Sequence, residues 1–134
     1  RSHMSPVTSV ASCILDIYRF PISARRLHDI VFLSDCHAMR VLGDVLFPDE
    51  LFLRRGIPVT RPLLDAFGTV LPARGWRLGP VRDLPDDDRQ VVVDAMWATI
   101  DASDRVLHAF VRDLLSGRRS YREMDLQEVS VLGV

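Results

Sequence analysis

Apolar residues return every three or four positions in four stretches of this chain, and each return marks one face of a helix. Val7, Val10, Ala11, Ile14 and Tyr18 form the first stripe, which the pattern ends near Phe20-Pro21. Ser23 stands where an N-cap belongs and Gly43 where a helix stops, so the spacing predicts a second helix over 23–42. Its face of Leu27, Ile30, Val31, Ser34, Ala38, Val41 and Leu42 is joined by another of Phe32, Cys36 and Met39. A helix with apolar residues on more than one side is surrounded by others, which makes this one the expected centre of the fold. Near the C-terminus, Pro85 and Asp86-Asp87-Asp88 open a helix striped with Val92, Ala95, Met96, Thr99 and Ile100. A recap at Asp101 or Ser103 leads to the stripe Leu107, Phe110, Val111, Leu114 and Leu115.

Between these helices the period breaks. Leu46-Phe47 and Glu50 to Arg54 are short enough to be strands or extended arms, punctuated by Pro48 and Gly56-Ile57-Pro58. Thr60 is placed to cap a short helix through Phe67, with Pro62 tolerated in its first turn. The expected fold is therefore mainly α: about five helices around a central helix (23–42), with a small β element near 46–55. Further candidate strands lie at 76–82 and 129–132.

Length and composition make this one globular domain. Arg1-Ser2-His3 before Met4 reads as a cloning remnant, leaving 4–134 as a single domain. Of the 134 residues 48% are hydrophobic and 26% charged, and no apolar run nears the roughly 20 residues that cross a bilayer. The expectation is no membrane, and two cysteines without a disulfide framework fit a reducing cytoplasm. A formal net charge of −1 gives no global pull on nucleic acid. All 17 positive side chains are arginine, the signature of a GC-rich bacterial or phage genome, so every chemistry that needs a lysine is excluded.

The stretch HDIVFLSDCHAMRVLGDVLFPDE, residues 28–50, carries the groups most suggestive of catalysis. Geometry argues against it. Cys36 and His37 are neighbours and point about 100° apart on a helix, so they do not converge as ligands at i and i+4 would. No zinc spacing, nucleophile motif or phosphate-cradling loop is present, and the expectation is no metal, no cofactor and no enzyme. A hydrolase built on His37 and nearby acids would need a concave pocket where they meet. Arginine offers more. Arg54, Arg55 and Arg61 flank Gly56-Ile57-Pro58, and Arg118, Arg119 and Arg122 surround Tyr121. Arginines beside aromatics suit acidic protein partners and nucleic-acid phosphates alike.

Leu27 to His37 has the apolar spacing and terminal histidine of L-x-K-L-L-Y-F-A-x-x-x-H, and Gly43-Asp44-Val45-Leu46-Phe47-Pro48-Asp49-Glu50 follows G-x-P-L-F-x-D-E. Arg55 to Val59 stands for a segment ending Y-G-P-V, and Leu84 to Leu115 for a closing helical pair. In these features the chain resembles the Panacea domain, an antitoxin and phage-associated module. The resemblance implies a mostly helical domain that acts by binding a protein partner, such as a cognate toxin or a host regulatory protein. It makes Leu27, Ile30, Val31, Phe32, His37 and Phe47 scaffold. Phe52, Arg54, Arg55, Arg61 and Tyr121 are then the candidate contact residues, and a DNA-binding regulator using the arginines is the alternative.

Overall fold

The computed structural model describes residues 4–70, 72–117 and 123–133, and these form a mainly helical fold. α1 (Val7–Tyr18) is followed by the two-residue strand β1 (Ile22–Ser23) and by α2 (Ala24–Val41). A hairpin of β2 (Phe52–Arg54) and β3 (Ile57–Val59) leads to α3 (Arg61–Phe67). β4 (Pro72–Ala73) and a 3-10 turn (Gly75–Leu78) precede α4 (Asp86–Thr99), α5 (Asp104–Leu115) and α6 (Leu126–Ser130). β1 pairs antiparallel with β4, and β2 with β3 in the register Phe52↔Val59, Leu53↔Pro58, Arg54↔Ile57.

α2 is the pillar that its sequence predicts. Leu27, Ile30, Val31, Phe32, Leu33, Cys36 and Ala38 are all buried, covering most of the helix circumference, and α4, α5, α1 and β3 pack around it. Ser23 caps it, its Oγ accepting from Arg26 N at 3.0 Å. The helix ends at Val41, two residues before Gly43 takes a φ of 73°. Val41 and Ile100, both assigned to buried stripes by periodicity, are instead about half exposed, because each sits at a helix end beyond its neighbours' reach.

The segment after α2 differs from its sequence reading. Leu46-Phe47 is not a strand but part of an irregular loop whose two apolar side chains are buried. Polar groups pin that loop: Asp35 Oδ1 accepts from Leu46 N at 2.8 Å, and Leu46 O accepts from Ser5 N at 3.1 Å. Asp49 Oδ1 then accepts from Val7 N at 3.1 Å, capping α1, whose own N-cap position is Pro6 and supplies no side chain. Thr60 makes no capping bond to α3; its hydroxyl is buried without a hydrogen bond. The strand expected at 76–82 lies instead at Pro72–Ala73, and Gly75–Leu78 coils into a 3-10 turn that ends at Gly79, whose φ is 68°. Residues 129–132 are helical, since Asp125 Oδ1 accepts from Gln127 N at 3.0 Å and starts α6 there.

The acidic run at 86–88 opens α4, as its sequence predicts. Asp88 does more than favour the helix dipole. It is 1% exposed and accepts from Ser5 Oγ at 2.5 Å, tying the N-terminal segment to α4.

Candidate binding site at the hairpin

β2 and β3 are joined by a two-residue turn, Arg55-Gly56, with φ angles of 54° and 79°. Positive φ at both central residues gives the tight turn whose twist matches that of the flanking strands. Gly56 adopts it freely; Arg55 does so at the steric cost borne by any side chain in the left-handed region. β3 is buried at all three positions against α2, whereas Leu53 and Arg54 of β2 face solvent.

α3 begins directly after β3 and brings Arg61 back beside the hairpin. The Arg61 guanidinium lies 5.1 Å from the Phe52 ring centroid, a cation–π distance, and 3.9 Å from Asp65 one turn along. Arg54, Arg55 and Arg61 line one open cleft of about 720 Å³, with Leu64, Asp65, Gly68 and Thr69 completing it. Among the described residues, Arg54 and Arg55 have no carboxylate partner. The wall at Gly68 is anchored from behind: His28, 1% exposed on α2, donates from Nε2 to Gly68 O at 2.8 Å. Burial holds the His28 ring below its ordinary pKa, so it is neutral and its buried Nδ1 carries no hydrogen.

Four of the five contact residues nominated by sequence therefore gather at one surface: Phe52, Arg54, Arg55 and Arg61. Tyr121, with Arg118, Arg119 and Arg122, lies outside the described residues. Of the scaffold residues, Leu27, Ile30, Val31, Phe32 and Phe47 are buried. His37 differs from them. It sits at the seam between α2 and α4, with Nε2 3.2 Å from Asp94 Oδ2, because its position on α2 turns it toward a polar flank of α4 where Gln90 also bonds Asp94.

The other chemistry-bearing groups of the second helix are scattered. Cys36 is buried and its thiol is pushed far up by desolvation and by Asp35, leaving it un-ionised. Asp29 is 1% exposed, with His108 Nδ1 of α5 3.7 Å from its Oδ2 and no hydrogen bond to either oxygen. Burial drives the Asp29 pKa up to about 7 and the His108 pKa down, so both groups are biased toward their uncharged forms and Asp29 gives up its proton only around neutrality. Among the described residues no group of three His, Cys, Asp or Glu side chains could hold a metal ion.

Three features here escape a sequence reading. Leu53 is 58% exposed on the outer strand of the hairpin. The Arg55-Gly56 pair between two short extended runs was the available signal for that hairpin. Arg26 is almost wholly buried, which nothing local announces. A second groove of about 510 Å³, rimmed by Tyr18, Phe20, Pro21 and Ile100, has Arg26 at its base. The Arg26 donors there are engaged by Tyr18 Oη, Thr99 O, Ala102 O and Asp104.

Compared with family models, curated proteins and solved structures, the chain matches none. No helix among the described residues is long and apolar enough to cross a membrane.

Proposed function

We propose that this chain is a non-enzymatic protein-binding domain, antitoxin-like in action, which holds a partner protein through the hairpin and the start of α3. The observation that carries this reading is the convergence of Arg54, Arg55 and Arg61 on one cleft, with the Phe52 ring held beside it under Arg61 and two of the arginines lacking a carboxylate partner among the described residues. An exposed guanidinium cluster beside an aromatic ring is the composition found at the anchoring points of protein interfaces. The histidine, cysteine and acid groups of α2 support the same reading by their dispersal. His28 holds Gly68, His37 meets Asp94, and Cys36 is an apolar core residue.

Co-expression with the product of each neighbouring gene tests the proposal. One such product is expected to arrest growth alone, and to lose its toxicity and co-purify when this chain is present. Growth unaffected by every neighbour, or toxicity unrelieved by this chain, contradicts it.

A second reading, a DNA-binding regulator, rests on the same three arginines facing a single carboxylate, Asp65, around the cleft. Phosphate contacts release counterions, so such binding falls steeply as salt rises. Undetectable binding to duplex DNA at low salt removes that reading.

A further inference from the structure

Resting on the protein-binding reading, we propose that the outer edge of β2 receives an extended acidic segment of the partner as a third strand of the hairpin. The carboxylates of that segment, spaced two residues apart, would meet Arg54 and Arg61.

The register supplies the first argument. In a hairpin closed by a two-residue turn, the pair flanking the turn, Arg54 and Ile57, exchanges both ladder hydrogen bonds, and the next pair, Leu53 and Pro58, exchanges none. Pro58 therefore forfeits nothing within the ladder, and it leaves the far side of β3 without a donor. That side is closed in any case by burial against α2. Leu53 is the mirror case. Its N–H and C=O point away from β3, and among the described residues no backbone group outside the hairpin bonds to it. The hairpin thus has one closed edge and one open edge.

Charge selects the occupant. Side chains alternate along a strand, so Phe52 and Arg54 share one face and Leu53 takes the other. Arg61 lies against the Phe52 ring, which sets two guanidinium groups beside the face that Arg54 occupies. An added strand with acidic residues on that face and apolar residues on the Leu53 face matches both sides, while backbone hydrogen bonds to Leu53 fix its position. Arg55 extends the positive rim, and it is held there at positive φ, where asparagine or glycine sits with less strain. Charges on an edge strand also serve to prevent pairing between copies. Exposed Leu53, on the face opposite Arg54, argues for a receiving edge, and the experiment separates the two roles.

The probe is a short capped peptide alternating glutamate and valine, followed by fluorescence anisotropy. The expected result is saturable binding, weakened about tenfold or more by Leu53→Pro, by the double variant R54Q/R61Q, and by grouping the same glutamates at one end. Leu53→Pro removes the outward N–H and the leucine side chain but no bond of the ladder, and is expected to keep the wild-type circular dichroism spectrum. Should it unfold, N-methylation of alternate peptide amides blocks the same bonds from the ligand side. Binding indifferent to Leu53→Pro and to N-methylation overturns the proposal. So does duplex DNA binding more tightly than the peptide and unaffected by Leu53→Pro. So does self-association of R54Q/R61Q with no peptide binding by the wild type, which identifies the arginines as a shield. If a co-expressed partner is held by Leu53→Pro but lost by R54E/R55E/R61E, the protein-binding reading stands and strand addition falls; if both variants hold it, both fall.

Discussion

At Asp29 a carboxyl group is buried where its ionised form has no hydrogen-bond donor, facing His108 and Asp104 of α5, with Arg25 and Arg26 on its own helix as the compensating charges. Its folded-state pKa of about 7 lies above the unfolded value near 4, so the folded chain binds the proton more tightly. The stabilisation this gives is complete at low pH and is lost as pH rises from about 4 through 7, on the order of 4 kcal/mol. His28 and His108 act oppositely: their folded pKa values are lowered, so the unfolded chain takes protons first and stability falls below about pH 6.5. Urea denaturation across pH is the check. Asp29→Asn is expected to be more stable than wild type at pH 8 and to lose the decline between pH 4 and 7; an unchanged decline would assign it to other groups. Arg26 is the other costly residue. It binds the Thr99 and Ala102 carbonyls at the end of α4 while meeting Asp104, so one guanidinium closes α4 and joins α2 to the start of α5. Arg26→Met leaves those carbonyls unpaired and is expected to destabilise by about 3 kcal/mol or more, read as a lower urea midpoint. Arg55→Asn is expected to do the reverse. Asparagine tolerates positive φ, so it should stabilise by roughly 1 kcal/mol while weakening partner binding, a pairing of effects that a purely structural arginine would not produce.

Elements whose causes are local were legible in the sequence. α1, α2, α4 and α5 each announce themselves through a stripe of period 3.6, and Ser23 and Ser103 cap by short-range hydrogen bonds that spacing alone can anticipate. Elements fixed from a distance were not. Leu46-Phe47 has the composition of a strand, but Asp35 and Ser5 hold it as a loop from positions 11 and 41 residues away. Residues 129–132 are β-branched enough to suggest an edge strand, yet Asp125 begins a helix there and Arg40 of α2 reaches the Glu123 carbonyl and the Asp125 carboxylate. Asp49 follows Pro48 with nothing local to mark it, and it is the cap of α1, 42 residues earlier in the chain. Asp49→Ala is therefore expected to cost about 1 kcal/mol and to appear as faster amide exchange in the first turn of α1; exchange unchanged there would assign Asp49 no capping role. The candidate site was legible in part. Its arginines stood out in a lysine-free chain, but the hairpin that aims them, and the exposed edge at Leu53, follow from β3 being buried on α2.

Across the whole molecule, α2 links core and surface. It carries Leu27, Ile30 and Leu33 into an interior completed by the other helices, and through His28 it fixes Gly68 at the wall of the arginine cleft. The cleft is accordingly built on an anchored frame, and recognition there need not reshape the core. The account's central claim is that this face is where a partner is held. Calorimetric titration of the co-expressed partner into wild-type protein and into R54E/R55E/R61E tests it most directly, with circular dichroism establishing that both are folded. The account predicts saturable binding to the wild type and its loss on charge reversal; equal binding to both proteins would contradict it.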